Sequence, residues 1–507
     1  MSSLKKGVFI MDKVQSNRKI TTMGLVLIIF STIFGISNSQ TAFYQMGYAS
    51  ATWYILGALL FFIPTSLMFA EYGSTFKDAH GGIYSWLEKS IGKKWAFIGS
   101  FTWLAGWVLT LVSLLTNMWI PLSVTFSGVD KTQTWSLLGL NSNETIGILS
   151  VFAIILITWV ANRGLNAITQ ISYFSGIISV IDIIIFVGLS VWLLVLQGGH
   201  FAEPITMHSV TQSPNSAFQS PVSIFSFLVY AIFAYAGMET LGGVTDNTKN
   251  AKKTFPRAVI IATVFMTLSY VVSIFICGIS ANWLKDLSGS NINLGNVRYF
   301  MVTNLGSMFG EKALHMNAAN SVVLGQWISR FMSLTGFISY FGEFLFLIYA
   351  PIKSFIEGSP KDFWPKKMTK LNQNGIPSFA LWIQTLVVCL IVLGVSFGGS
   401  TAQAFYTILT DMNNITTAVP YLFLVVAFPF FKKNFANNQV GAIFYHRRIT
   451  INFVTVITMA TLALSIIFTS LQPILDHDLQ TAFWTVFGPV FFIIVAWIFY
   501  NRANKKA

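Results

Sequence analysis

The 507-residue chain is 54% apolar and only 10% charged, with a mean hydropathy of +0.65. Soluble domains carry about 25% charged residues because their surfaces must be solvated, so an ordinary water-soluble protein is excluded and lipid is the solvent for most of the chain. The net charge of +13 does not imply nucleic acid, because the charges stand in short clusters between apolar runs and form no basic domain.

Residues 1–19 are polar and basic without an apolar core, and read as a cytoplasmic tail rather than a cleaved signal. A bilayer core about 30 Å thick takes about 20 helical residues. Apolar runs between charged or turn-rich breaks predict twelve spans, near 20–45, 51–74, 95–126, 145–162, 167–197, 221–245, 257–283, 319–352, 377–397, 403–431, 449–471 and 482–501. With the N-terminus inside, 26 of the 31 Lys and Arg fall on the cytoplasmic side, four (Lys131, Lys285, Arg298, Lys312) fall outside, and Arg330 lies in a span. Cytoplasmic loops hold the basic excess, and one missed span would scramble every side after it. Both termini are therefore predicted cytoplasmic. The outer loop 284–318 is expected to carry a short lid helix, and the loop 353–376, with Pro360 and Pro365, to pack on the inner face.

Two spans contain irregular stretches. In span 1, Leu25 to Phe34 gives way to Gly35-Ile36-Ser37-Asn38-Ser39-Gln40, too polar and too weak in helix propensity for lipid contact. In span 6, Ala231 to Glu239 passes Ala236-Gly237 and is followed by Gly242-Gly243. Non-helical backbone at membrane depth survives only where it lines a cavity, since its N–H and C=O groups otherwise lack partners. Half-helix N-termini attract a carboxylate, and loose carbonyls attract an ammonium. Close helix packing at these glycines is the alternative reading. Breaks five spans apart favour an inverted repeat. The predicted fold is thus an all-α integral membrane protein: tail 1–19, five-helix repeat 20–197, second repeat 198–431, and two additional C-terminal helices with a tail over 432–507.

Three stretches carry a family likeness. Ala70-Glu71 with Gly81-Gly82-Ile83-Tyr84-Ser85-Trp86, Phe233 to Glu239 running on to Asn250 through Ala258, and Ala350-Pro351-Ile352-Lys353 followed by Pro360 through Lys367 and Gly375-Ile376-Pro377 together resemble the amino acid–polyamine–organocation superfamily, near its bacterial glutamate/γ-aminobutyrate antiporter branch. The likeness covers roughly residues 20 to 430. Span 1 departs from a Gly-Ser-Gly turn, keeping only the first glycine in Gly35-Ile36-Ser37, and Asn247 and Asn250-Ala251 stand where the family commonly has a Glu and an Asn-Pro. The resemblance implies that Gly35, Ile36 and Ser37 offer backbone groups to a substrate carboxylate. Ala234, Ala236 and Gly237 offer carbonyls to its amino group, and Phe233 closes over it. Thr110, Ser113, Phe344 and Asn413 fall on pocket-lining positions.

Ionisable residues inside spans cost at least about 2.5 kcal/mol on insertion scales and are functional candidates by default. Six occur: Glu71, Asp182, Glu239, Arg330, Glu343 and Asp411. Glu71, near the inner end of span 2, is expected to pair with a basic loop residue. Glu239 follows the span 6 break, as a structural anchor or a proton-coupling group. Asp182 is a coupling candidate in span 5, with a packed Asp as the alternative. Arg330 and Glu343, thirteen residues apart, stand about 140° apart around a helix and about 19.5 Å along it, which excludes a direct pair. Glu343 or Asp411, if ionised and facing the substrate, favours a cationic amine and disfavours a glutamate side chain.

Cys277 and Cys389 both lie in apolar runs, against a disulfide framework. The six histidines are scattered without metal-ligand spacing, and no Walker-type glycine loop occurs, so neither a metal, a cofactor nor direct ATP use is indicated. No catalytic set points to an enzyme. The expectation is a secondary transporter of amino acids or their decarboxylated amines in a bacterial inner membrane, by exchange or by proton-coupled uptake. A channel and a membrane enzyme are the remote alternatives.

Overall fold

In the computed structural model the described residues are 21–76, 82–239, 248–289, 291–399, 402–435 and 441–504. The basic tail 1–19 and Gly242-Gly243 of span 6 lie outside them. All regular structure among the described residues is helical. The first span is two short helices, α1 (Thr22–Ile33) and α2 (Ile36–Met46). There follow α3 (Ala49–Thr75), α4 (Gly82–Ile91), α5 (Lys93–Ser127), α6 (Ser142–Ala161), α7 (Leu165–Leu196), α8 (Pro221–Ala234), α9 (Ala251–Ser280), α10 (Val297–Ala313) and α11 (Ala318–Gly358). The chain closes with α12 (Ser378–Ser396), α13 (Ala402–Asn434), α14 (Arg448–Leu475) and α15 (Leu479–Asn504).

Nine of these helices (α3, α5, α6, α9 and α11 to α15) are long and apolar enough to cross a membrane among the described residues. Of the predicted spans outside that set, span 1 is interrupted, span 5 is the continuous 32-residue α7 with Val180–Leu196 as its apolar stretch, and span 6 is described only through residue 239. Local chemistry sets several helix starts. The Asn141 side chain accepts from the Glu144 amide while Glu144 reaches back to the Asn141 amide, a capping box that opens α6. Ser220 caps α8 ahead of Pro221, whose missing N–H costs nothing in the first turn.

The helices pack as a bundle in which sequence neighbours are not always spatial neighbours. α1, α2 and α3 lie on α9; α5 lies on α13 and α15; α7 and α10 lie on α11; α6 lies on α12; and α8 lies on α13 and α14. Small residues permit these approaches. A β-carbon at Gly106 would stand 3.1 Å from the Thr416 carbonyl oxygen, so glycine lets α5 and α13 come together there.

The outer loop is more structured than a short lid helix: a π-helical turn at Trp283–Leu287 precedes the 17-residue α10. Hydrogen bonds seat it on the bundle. Tyr44 Oη donates to the Ile292 carbonyl at 2.9 Å, and Trp283 Nε1 donates to the Tyr44 carbonyl at 2.7 Å. Asn296 Nδ2 donates to Asp130 Oδ2 at 3.1 Å, and the Trp283 amide donates to Glu203 Oε2 at 2.8 Å. On the opposite side, α11 runs past the expected end of span 8 to Gly358. Two short turns follow, with Trp364 Nε1 donating to Ser359 Oγ at 2.7 Å.

Glu71 is fully buried and paired, as expected of it, but with a residue at the end of span 10. Lys432 Nζ lies 2.8 Å from Glu71 Oε2, and the amides of Phe444 and Tyr445 donate to Oε1 at 2.7 and 2.9 Å. One carboxylate therefore ties α3, α13 and the segment leading to α14. Removing one partner of a buried ion pair leaves the other uncompensated. Glu71→Gln is expected to cost about 3 kcal/mol, and Glu71→Gln with Lys432→Met less than the sum of the single changes. Thermal unfolding of the purified protein in detergent checks both, and additive effects would contradict the coupling.

Candidate functional site

The two interruptions face each other. α1 ends at Ile33, and Phe34 and Gly35 are extended, with φ/ψ of −73°/119° and −126°/116°. α2 then starts at Ile36 with no side chain capping it. α8 ends at Ala234, the Tyr235 and Ala236 amides close a tight turn onto the Ile232 and Phe233 carbonyls, and Gly237 adopts φ +117°. That backbone is strained for any residue with a side chain. A β-carbon at Gly237 would also stand 3.1 Å from Ile33 Cγ1, so the breaks are in contact.

A single phenol from a third helix joins them. Tyr270 of α9 places its Oη 2.8 Å from the Ala234 carbonyl and 3.0 Å from the Ile33 carbonyl. It accepts from the Gly35 amide at 3.3 Å and from Asn38 Nδ2 at 3.4 Å. A hydroxyl has one hydrogen and two lone pairs, so it can satisfy either carbonyl in turn while receiving an amide. Tyr270 thereby offers a partner to one terminal carbonyl of either half-helix and to the Gly35 amide, where an unpaired group in hydrocarbon costs several kcal/mol. Tyr230 adds a bond from its hydroxyl to the Asn38 carbonyl at 3.3 Å.

Glu239 anchors the other end of the span 6 break. Trp103 Nε1 donates to its Oε1 at 3.2 Å, the Gly237 amide donates to its Oε2 at 3.0 Å, and the Tyr421 hydroxyl donates to the same oxygen. The Gly237 amide also lies 2.9 Å from Tyr421 Oη. The carboxylate is 2% exposed, and the partners named here are all neutral.

Other residues singled out in the sequence divide into three groups. Thr110 Oγ1 and Asn413 Oδ1 are brought together at 2.8 Å across α5 and α13, and Ser113 lies one turn further out, its carbonyl accepting from Asn117 Nδ2 at 2.8 Å. Ile36, Ser37, Phe233 and Ala236 are half-buried beside the breaks. The Gly35 amide and Ala234 carbonyl, expected to be free for a substrate, are engaged by Tyr270. Phe344 is fully buried and belongs to the packed core. Its neighbour Glu343 is exposed, while Asp411 is half-buried and forms no hydrogen bond or ion pair among the described residues. Asp182 is buried and accepts from Thr335 Oγ1 at 2.6 Å.

Arg330 and Glu343 share the continuous helix α11, which keeps them apart. Arg330 Nη1 donates to the Phe126 carbonyl at 2.8 Å, closing onto the end of α5. The sequence reading did not single out Tyr270, Trp103 or Tyr421, although each puts a polar hydrogen into an apolar run. A buried Tyr or Trp ordinarily finds a partner for that hydrogen, and that was the available signal.

Apolar helices of spanning length around two interrupted ones define a multi-pass integral membrane protein. The chain belongs to the amino acid permease family, which it matches over residues 20–499. It is 40% identical over 490 residues to the inner membrane transporter YjeM of Salmonella typhimurium, covering 96% of this chain and 97% of that one. It is 24% identical over 415 residues to the aspartate/glutamate permease AcaP of Lactococcus lactis subsp. cremoris, with 81% and 79% of the two chains covered. It is also 24% identical over 380 residues to the glutamate/gamma-aminobutyrate antiporter of Lactococcus lactis subsp. lactis, with 74% and 68% covered. The protein is a transporter and not an enzyme.

Tyr270→Phe removes the hydroxyl that serves both breaks while leaving the ring that packs on Phe34. Losing hydrogen bonds to buried backbone groups costs about 1–3 kcal/mol. Transport by the variant is expected to fall by about tenfold to a hundredfold with unchanged gel-filtration behaviour. Initial rates in proteoliposomes check this, and parental rates would remove the tie from the transport cycle.

Proposed function

We propose that the chain is a secondary active transporter of amino acids or their decarboxylated amines, working by alternating access around the interrupted spans 1 and 6. The observation that carries this reading is the meeting of two breaks in helical backbone, the extended residues 34–35 and the turn at 235–237, tied by Tyr270. In this reading the half-helix end at Ile36 and Ser37 receives a substrate carboxylate. The carbonyls of Ala236 and Gly237 receive its ammonium, and Phe233 covers it. Thr110, Ser113 and Asn413 line the space outward.

The twelve-span reading as two inverted five-helix halves, with two helices added, has support in the packing. Exchanging each span for the one five positions on turns the α5–α13 contact, spans 3 and 10, into the α11–α7 contact, spans 8 and 5. The same exchange turns the α1–α9 contact into the α8–α3 contact. The basic excess on one set of loops supports an inner-membrane orientation with both termini cytoplasmic, as does the name of the Salmonella relative.

Exchange of one amino compound for another is the leading mode, supported by the name of the Lactococcus antiporter. Proton-coupled uptake is the second reading, favoured by Glu239, a buried carboxylate whose named partners are the neutral Trp103, Tyr421 and Gly237. The exposed carboxylate of Glu343 and the unpartnered one of Asp411 support an amine or neutral amino acid over a substrate with an acidic side chain.

Counterflow in proteoliposomes with labelled amino acids and amines, with and without a pH gradient, tests these readings. Exchange predicts that unlabelled substrate inside accelerates entry of label without a pH gradient. Symport predicts that the gradient drives accumulation. A flux unaffected by substrate on the opposite side would overturn alternating access in favour of a channel. In the same assay Glu343→Gln is expected to reduce the preference for cationic over neutral substrates by about tenfold, and an unchanged preference excludes Glu343 from the pocket.

A further inference from the structure

Arg298 was counted among the cations of the outer aqueous loop, yet it turns into the bundle. It is the second residue of α10 and only half-buried. Its guanidinium rests against Gly336 of α11, where a β-carbon would stand 3.1 Å from Nη2, and its Cζ is 4.9 Å from the Tyr299 ring centroid. The charged and phenolic groups around it come from three helices: Tyr299 beside it on α10; Tyr340 and Glu343, four and seven residues beyond Gly336 on the same face of α11; and Asp182 of α7, held at 2.6 Å by Thr335, the neighbour of Gly336, all of which act electrostatically on Arg298. Asp130, from the outer end of α5, and Tyr406 of α13 lie in the same neighbourhood. Among the described residues Arg298 makes no contact ion pair with either carboxylate. The layer beneath α10 is packed but not apolar throughout: Tyr299 and Tyr406 are buried, a β-carbon at Gly295 would stand 3.1 Å from the Tyr406 ring, and neither hydroxyl has a hydrogen-bond partner within bonding distance among the described residues.

Helix stability does not explain this position. A cation in the first turn opposes the positive end of the helix dipole, and α10 is already held on α11 by close backbone packing, a β-carbon at Gly325 standing 2.3 Å from the Thr303 carbonyl. Bringing a guanidinium out of water toward membrane depth costs several kcal/mol unless opposite charge meets it. The opposite charge is present on two other helices, and it is present in excess: two carboxylates, Asp182 and Glu343, for one cation.

We propose that Arg298 is the latch that seats α10 on spans 5 and 8, drawn to Asp182 and Glu343, and that its withdrawal uncovers the packed layer of Tyr299, Tyr406 and Asn117. Arg298 is a positioning residue: it acts on the lid and does not touch a substrate. Asn117 lies beneath the lid, with the Gly295 β-carbon position 3.2 Å from its Oδ1, so a probe there reports the opening directly. The inference extends the alternating-access reading, and its test uses no substrate, so each can fail alone.

The test labels Asn117→Cys with a fluorescent maleimide in the full-length purified protein in detergent, after Cys277→Ser and Cys389→Ser. Adding Arg298→Gln is expected to speed labelling by about tenfold, and so is adding Asp182→Asn with Glu343→Gln, which breaks the latch from the other side. Arg298→Lys is expected to stay within about threefold of the parent because it keeps the charge. Parental labelling rates in Arg298→Gln, or in the paired carboxylate variant, overturn the proposal. So does an Arg298→Lys rate as fast as that of Arg298→Gln, which would make the contact one of packing alone. If Arg298→Gln elutes in the void volume, the paired carboxylate variant decides the question.

Discussion

Every peptide group placed in hydrocarbon must find a hydrogen-bond partner inside the protein. The rest of this structure follows from where that demand is not met by a helix. At Phe34–Gly35 and at Tyr235–Gly237 the chain gives up its helical ladder. The released groups are then satisfied by side chains from elsewhere: Tyr270 from α9 and the pair Tyr421 and Glu239. A phenol that can shift its one hydrogen between the Ile33 and Ala234 carbonyls joins the breaks without fixing them rigidly. Such a tie suits the movement of two half-helices that the proposed alternating access requires.

Charge obeys the same demand with a larger penalty. At one side of the bundle Glu71 has a full set of partners, an ammonium and two backbone amides, and there it acts as a static tie. Near the middle Glu239 is held by neutral donors. Toward the lid Asp182 and Glu343 share the field of Arg298 without contact. The progression runs from a closed ion pair to loosely met charges, and loosely met charges are those whose partners can change during a transport cycle.

The amino acid permease family thus takes a specific form here. Its sequence places the bulky Ile36 directly after the single glycine of the span 1 break, and the extended backbone there is Phe34 and Gly35, both half-buried. On the span 6 side the positive φ of Gly237 and its contact with Ile33 leave no room for a side chain. Under the proposed reading, specificity falls to side chains around the breaks, since backbone groups of this kind can recognise only the dipolar end that all amino acids share.

Composition and the length of the apolar runs were enough to read the solvent and the all-helical class. Apolar runs of spanning length, the basic excess on alternate loops and the weak helix formers at Gly35–Gln40 are local or one-dimensional properties, and they located both breaks and most helix ends to within a few residues. The separation of Arg330 from Glu343 was equally legible, because helix geometry alone fixes it. What only the tertiary structure decided is which polar hydrogen reaches which orphan oxygen. Tyr270 is 36 residues from Ala234 and 237 from Ile33, and nothing in the periodicity of α9 says that it faces both. Arg298 reads as a loop cation until α10 folds down onto α11. These are consequences of rotation about helix axes and of contacts across hundreds of residues, set by packing rather than by any local signal.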